Sequence, residues 1–444
     1  MKTILQLAAA GLAATLLAGT ARADDWRQFR GPNGSGVAAA DARPPAQWSA
    51  TQNMQWRTAL PGPGSSSPIV VGDRVFVTCY SGYGDGGNGG PDQLVRHLVA
   101  VDRATGKILW DQSVAARLPE DNFSGYLTEH GYASSTPVSD GERVYVFFGK
   151  TGACAFDLAG KQLWAAPLGQ MSSNRRWGSG ASPVLWGDKL IVNAADESRA
   201  VFALEKATGK QLWKSEAATL ELCFGTPIVT DGPGGRQDLV LAVPGELWGL
   251  NPESGKLRWF AETRLDGNVS PTVVTDGGVV FSTGGFPRTG TVAVRAGGKG
   301  DVTGSNVVWS SQSASYVPSP VATGGRLYVV SDQGFAACLD ARTGEALYKE
   351  RLPGATGGGG GGGKPFYASP VLAHGRLYAV SRRQGVFVLG AGAKFEFIAQ
   401  NRITGDDTDF NGTPAVVGPQ FFLRSNRALY CLTAEAAAGA GKAQ

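Results

Sequence analysis

Eight times along the chain a Ser or Thr is followed directly by Pro and then by apolar residues. The prolines are Pro68, Pro137, Pro183, Pro227, Pro271, Pro320, Pro370 and Pro414. After a first interval of 69 residues they recur every 44 to 50. A period of that length marks one small β-sheet repeated around an axis, and it constrains the fold more tightly than any single motif. Pro68 leads through Ile69-Val70-Val71 and a Gly72-Asp73 turn to Val75-Phe76-Val77, and Pro320 leads through Val321 and Gly324-Gly325 to Leu327-Tyr328-Val329-Val330. β-branched and aromatic residues on either side of such a turn predict a hairpin. A third run then ends in a compact signature, Ala100-Val101-Asp102-Arg103-Ala104-Thr105-Gly106 through to Trp110. It returns as Ala203-Leu204-Glu205-Lys206-Ala207-Thr208-Gly209 to Trp213, and as Asn251-Pro252-Glu253-Ser254-Gly255 to Trp259. Asp or Asn opens this turn by bonding nearby backbone, and Gly supplies the positive φ that closes it.

Each repeat is therefore four strands, the fourth carrying an aromatic residue: Trp110, Trp164, Trp213, Trp259, Trp309, Tyr348, and Phe395 or Phe397. These positions read as blade-to-blade packing rather than as ligand-stacking residues. Proline fits the first strand because the innermost strand of each sheet has a free edge. The last unit, Thr413-Pro414 to Leu432, supplies only three strands, while Asn53 to Thr58 precedes the first Pro unit. An N-terminal strand completing the last blade closes the ring and removes open sheet edges. The sequence thus predicts an all-β fold, an eight-bladed β-propeller of four-stranded antiparallel blades over residues 53–433, closed by that N-terminal strand.

The ends and the composition narrow the setting. Lys2, the apolar stretch Ile4 to Gly19 and the small-x-small site Ala21-Arg22-Ala23 predict a cleaved export signal over 1–23, followed by an extension over 24–52. Thr20 stands where a lipoprotein box needs its acylated Cys, so no lipid anchor is expected, and no other stretch is long and apolar enough to span a bilayer. Residues 434–444 read as a disordered tail. The expected product is a soluble monomer in the periplasm or outside the cell. With 41 Lys and Arg against 37 Asp and Glu, neither nucleic acid nor a membrane surface is implied as partner. The five cysteines, Cys79, Cys154, Cys223, Cys338 and Cys431, lie in or beside apolar strand runs of different blades and predict buried free thiols.

Only departures from the repeat can be specific. Loops leaving the outer strand of one blade share a face with the loops between second and third strands. Blade 1 has both enlarged, at 81–91 and 115–132, and the glycine run 357–363 falls on the same side, where it reads as a flexible linker. Residues just before each Ser/Thr-Pro converge on the channel mouth: Glu129, His130 and Tyr132; Arg175, Arg176 and Trp177; Phe224; Asn268; Tyr316; Tyr367; and Asp409 and Asn411. That mixture suits a small molecule or an extended peptide, and it equally suits a plug whose members satisfy one another. His130 beside Glu129 has acid/base chemistry but no nucleophile near it in sequence. Asp407 to Gly412 starts like a calcium loop and lacks the closing Glu, so no metal is expected. Arg382-Arg383 faces the mouth and reads as solvated charge.

The unit at residues 100–110, an Ala-x-Asp-x-x-Thr-Gly-x-x-x-Trp pattern, resembles the repeat of the pyrroloquinoline-quinone (PQQ)-like propellers. The opening Trp26-Arg27-Gln28-Phe29-Arg30-Gly31-Pro32 and the stretch His130 to Pro137 also resemble secreted PQQ-binding-like propeller proteins. Two branches of the family bear on function: quinoprotein dehydrogenases, and the propeller subunit of the outer-membrane barrel-assembly machinery. The dehydrogenase resemblance implies calcium-PQQ held by a Glu, an Asn and a catalytic Asp, usually under a vicinal disulfide. Glu129, Asn268 and Asp409 are the right types, with Arg175 or Arg176 near the quinone, but this chain has no vicinal cysteine pair. Because the trio precedes blades 2, 5 and 8, its oxygens are expected not to share a site. The reading is an exported, non-catalytic propeller with no cofactor, binding a protein, peptide or small molecule at its looped face. The alternative is a PQQ- and Ca²⁺-dependent dehydrogenase of alcohols or sugars.

Overall fold

The computed structural model describes residues 25–355 and 364–434. The segment 1–23 expected to be an export signal, the glycine run 357–363 and residues 435–444 lie outside the described residues. Eight antiparallel sheets follow one another along the chain as eight blades. In blade 1 the strands are Ile69–Val71, Arg74–Ser81, Val95–Asp102 and Ile108–Ala115, running from the inside outward. Blade 8 takes Ala415–Val417, Gln420–Arg424 and Ala428–Thr433 from the C-terminal part, and Met54–Ala59 pairs on its outer edge with Trp56 opposite Cys431. Blade 4 carries one extra short strand, Gly300–Asp301, added in parallel to its outer edge. Side chains of the middle strands are almost all buried, because each blade is covered by a neighbour on both faces. All five cysteines are buried and free, and burial pushes the Cys154, Cys223 and Cys431 thiols up to about 12.

The recurring Ser/Thr has a specific task. The backbone N–H of Ser67 donates to the Thr136 hydroxyl at 2.9 Å, Thr136 to Ser182 at 3.0 Å, and Ser182 to Thr226 at 2.9 Å. The chain of bonds continues from Thr226 to Thr272, to Ser319, to Ser369 and to Thr413, and returns to Ser67 at 3.0 Å. Eight charge-free hydrogen bonds thus tie the blades into a closed inner ring, each worth about 1 kcal/mol net and all buried. This corrects the sequence reading at blade 5. There the ring residue is Thr272, followed by Val273, and Ser270-Pro271 sits two positions early. Strand Val274–Asp276 begins two residues after Thr272, as Ile69 does after Ser67, so strand register and not the proline defines the repeat.

The signature Asp-x-x-Thr-Gly-x-x-x-Trp splits between neighbours. Trp56 of blade 8 donates its indole N–H to Arg103 O of blade 1 at 2.9 Å and lies over Gly106, where a Cβ would come within 2.7 Å of the ring. Trp110 pairs in the same way with Leu158 O and Gly160, Trp164 with Lys206 O and Gly209, Trp213 with Pro252 O and Gly255, and Trp309 with Ala341 O and Gly344. These five tryptophans dock on the next blade's turn, whereas Trp259 of blade 4 donates to Asp238 Oδ2 of its own blade at 2.8 Å. Blade 7 departs from the expectation: Phe397 is exposed, Phe395 packs on Tyr348 of blade 6, and the position matching Trp110 is Ala399, opposite Val388. The physical reason is that in blade 8 the third and fourth strands are not consecutive in the chain, the fourth being Met54–Ala59. Trp48 of the N-terminal extension covers the seam instead, against Tyr378 and Phe421, with its backbone N–H donated to Asn401 Oδ1.

The rest of that extension runs across the channel on the side away from the looped mouth. Trp26 pairs with Val70, Arg27 O accepts from Ser139 N, and Ala38 N donates to Leu372 O. Each of these partners lies three positions beyond a ring Ser/Thr. Arg30 is fully buried in the crossing, with its N–H groups donated to the carbonyls of Gly34, Ser35, Ser319 and Pro320. No carboxylate is among these partners, and burial lowers its pKa to about 9. Phe29 points from this segment into the channel.

Candidate functional site

The looped face is dominated by two segments. Residues 116–137 between blades 1 and 2 carry one helical turn, Leu127–His130, and residues 167–183 between blades 2 and 3 carry Trp177. Tyr126, just before the helical turn, reaches the centre of the mouth. Its ring lies 4.9 Å from Trp177, 5.8 Å from Tyr367 and 6.2 Å from His130 (centroid distances), and Phe224 extends the aromatic layer from Trp177 at 5.8 Å. Burial, then the neighbouring Tyr367, raises the Tyr126 phenol well above its ordinary value. Sequence reasoning did not single Tyr126 out, because it lies four residues before His130 in an insertion with no counterpart in the other repeats.

His130 is a structural residue. Nε2 faces Trp177 O at 2.9 Å, and a carbonyl only accepts, so Nε2 carries the proton and Nδ1 accepts from Ser134 Oγ at 2.6 Å. Burial lowers its pKa, and the ring stays neutral with both nitrogens engaged. Tyr132 lies away from the mouth, in an aromatic cluster with Tyr80, Tyr83 and Phe123, its hydroxyl on Asp121 O at 2.7 Å. Arg175 and Arg176 stand exposed on the rim, Arg175 over Trp177 at 5.8 Å. Across the mouth, Asn268 donates to the Tyr316 hydroxyl at 3.0 Å and Tyr316 packs against Phe286.

The carboxylates hold the main correction. Arg382 is largely buried and bridges Glu129 Oε2 and Asp409 Oδ2, each at 2.6 Å, while Arg383 takes Asp409 Oδ1 at 2.6 Å. Arg382 also lies 4.6 Å over the Tyr367 ring. Burial opposes its charge, but Asp409 and Glu129 outweigh that and raise its pKa. Glu129 and Asp409 therefore do converge, contrary to the expectation from blade spacing, since blades 8 and 2 are only two apart. They converge on a guanidinium. Asn411 joins the same group, its amide N–H on Glu129 O at 2.8 Å, and Asn268 does not. Asp407 is exposed, so the oxygens of 407–411 point to different partners. Among the described residues no three His, Cys, Asp or Glu side chains are placed to hold one metal ion.

Beneath the aromatic layer is a cavity of about 160 Å³ lined by all eight ring hydroxyls, Phe29, Val317 and Asn411. A second group of polar residues locks the two long loops to blades 1–3. Arg96 pairs with Glu120 at 2.6 Å, Lys150 with Asp121 at 2.9 Å, and Ser179 donates to Glu197. Burial, then Asp196, pushes the Glu197 carboxyl up to about 8, so it holds its proton at neutral pH. The only sequence signal for this group is charge inside strand runs, as at Arg96 in Val95–Asp102.

A family model described as PQQ_2, outer membrane protein assembly factor BamB, matches residues 95–350 and 298–392. Outer membrane protein assembly factor BamB of Moranella endobia is 24% identical over 262 residues, 53% of this chain and 63% of that protein. The same factor of Burkholderia pseudomallei is 25% identical over 306 residues, 68% of this chain and 60% of that protein. The chain thus spans somewhat under two thirds of the length of these relatives. Among solved structures, BamB of Moraxella catarrhalis superposes with a TM-score of 0.59 at 12% identity, over 87% of this chain and 99% of that one. A europium-containing methanol dehydrogenase gives 0.51 at 11% identity, over 83% and 90%. At these identities the superpositions speak to the fold alone. No described helix is long and apolar enough to cross a membrane.

Proposed function

Because this chain belongs to the PQQ_2 family of the outer membrane protein assembly factor BamB, we propose that it is an exported, non-catalytic scaffold that binds polypeptides through its looped face. The observation that carries this reading is Arg382. The two carboxylates that a calcium-PQQ site would draw on are already neutralised by a buried cation, and the third group, Asn268, is committed to Tyr316. The donor set does not fit a calcium ion, which takes six to eight oxygens at about 2.3–2.6 Å, and no redox step is assigned to this site. The looped face in turn has the composition of a protein interface. Leu118, Met171 and Phe286 are each about half exposed there, beside the exposed Arg175 and Arg176.

In this reading the protein works as a monomer in the periplasm, and its partners are polypeptides engaged in outer-membrane protein assembly. The test has two arms. Purified protein incubated with PQQ and Ca²⁺ should reduce no redox dye with any alcohol or sugar. A photo-crosslinking residue at Arg176 should capture outer-membrane assembly components, and capture should fall at least tenfold in a Met171→Glu, Phe286→Glu double variant with an unchanged melting temperature. Calcium-dependent dye reduction would overturn the non-catalytic reading. Capture that ignores the double variant would overturn the choice of face.

A further inference from the structure

The cavity under the aromatic layer has an unusual hydrogen-bonding balance. Ser67, Thr136, Ser182, Thr226, Thr272, Ser319, Ser369 and Thr413 all line it, and each hydroxyl oxygen accepts one backbone N–H of the inner ring. Among the described residues none of these hydroxyls donates its own proton to a protein acceptor, so eight O–H donors face the cavity uncommitted. One further polar atom is buried without a partner: Asn411 Oδ1, on a residue only 9% exposed. Asn411 is held in that orientation because its amide N–H is donated to Glu129 O. Buried polar groups left unpaired are costly, so an array of this kind is built to be filled.

The charge of the occupant follows from the walls. No Lys, Arg, Asp or Glu lines the cavity, and His130 is neutral. Two fully buried cations lie behind the walls and both are committed: Arg30 spends its N–H groups on four carbonyls, and Arg424 donates to Ser66 O and Ser66 Oγ. An anion placed here would lose its hydration with no ion to pair with. A volume of about 160 Å³ holds roughly ten waters at 10–15 Å³ each. Tyr126, Trp177, Phe224 and Tyr367 offer flat apolar faces above the donor ring. We propose that this chamber binds a small, neutral, polyhydroxylated molecule of monosaccharide or polyol size, its hydroxyls on the Ser/Thr ring and Asn411 Oδ1 and its C–H faces on the aromatic layer. The site is separate from the protein-binding face and does not depend on that reading.

The test is titration calorimetry with saturation-transfer NMR on the purified full chain against glycerol, mannitol, glucose and galactose, with glucuronate as the matched anion. At least one neutral member should bind at one site per chain, and glucuronate at least tenfold more weakly than glucose. Gly180 lines the cavity with ordinary φ, and a Cβ there meets only Phe224 O at 4.0 Å, so Gly180→Leu should fold normally while filling the space. It should weaken binding at least tenfold. Tyr126→Phe removes only one hydroxyl from the cavity wall and keeps the ring, and should weaken binding several-fold with an unchanged melting temperature. Failure of every neutral member to bind, binding indifferent to Gly180→Leu, or glucuronate binding as tightly as glucose would each overturn the proposal.

Discussion

Trp56→Ala tests whether the N-terminal strand closes the ring energetically as well as topologically. Trp56 is 8% exposed, donates to Arg103 O and packs on Gly106 and Phe422, the same pair of docking contacts that Trp110 makes within the body of the ring. Truncating a buried Trp to Ala costs about 3–5 kcal/mol, against a total stability of about 5–15 kcal/mol for a domain. If the closing strand is integral, Trp56→Ala and Trp110→Ala should fall in that range and agree within about 1 kcal/mol. Leu109→Ala, at a position 43% exposed, should stay within about 0.5 kcal/mol of wild type. Gly106→Ala should also be severe, since φ is +76° and the new methyl would strike the Trp56 ring. The assay is equilibrium urea unfolding followed by circular dichroism. A Trp56→Ala cost under about 1 kcal/mol, or an unchanged melting temperature after deletion of residues 24–58, would refute the closure argument.

Glu197→Gln should flatten the pH dependence of stability: the native carboxyl keeps its proton up to about pH 8 while the unfolded one releases it near the ordinary value. Wild-type stability should therefore fall by about 1.4 kcal/mol per pH unit between those two points, and denaturation from pH 5 to 8 shows whether the variant loses this slope. His130 acts in the opposite sense, because its lowered pKa makes stability fall as pH drops below its ordinary value near 6.5, and His130→Gln should remove that acid-side loss in the same titration. Arg382→Met strands Glu129 and leaves Asp409 with Arg383 alone, so it should cost about 3–5 kcal/mol, and millimolar Ca²⁺ should restore part of the melting temperature in the variant but not in wild type. Intact-mass measurement of the exported protein should give a chain starting at Asp24 with no added acyl group, and a retained leader or acyl mass would contradict that processing.

The sequence by itself determined the blade count, the four-strand unit and the closing strand, because each rests on local chemistry repeated at a fixed interval. A turn needs its Asp and Gly, and a hairpin needs its alternating apolar runs, wherever it occurs. It also gathered most of the mouth residues, since every loop before an inner strand must end near the axis. It misplaced the proline of blade 5 and the aromatic of blade 7, because those positions are defined by a neighbouring blade: Thr272 by its bond from Thr226, and Ala399 by the break in blade 8 between its third strand and its N-terminal fourth strand. What only the tertiary structure decided is the partner of each polar side chain. Arg382 lies 253 residues from Glu129 and reads as solvated charge in sequence, yet the ring brings it between two carboxylates. Tyr132 counts as a mouth residue by position and is drawn into a separate cluster by Tyr80 and Tyr83. Burial and pairing are properties of contacts between distant segments, so the charge state of these groups is fixed only once the ring is closed.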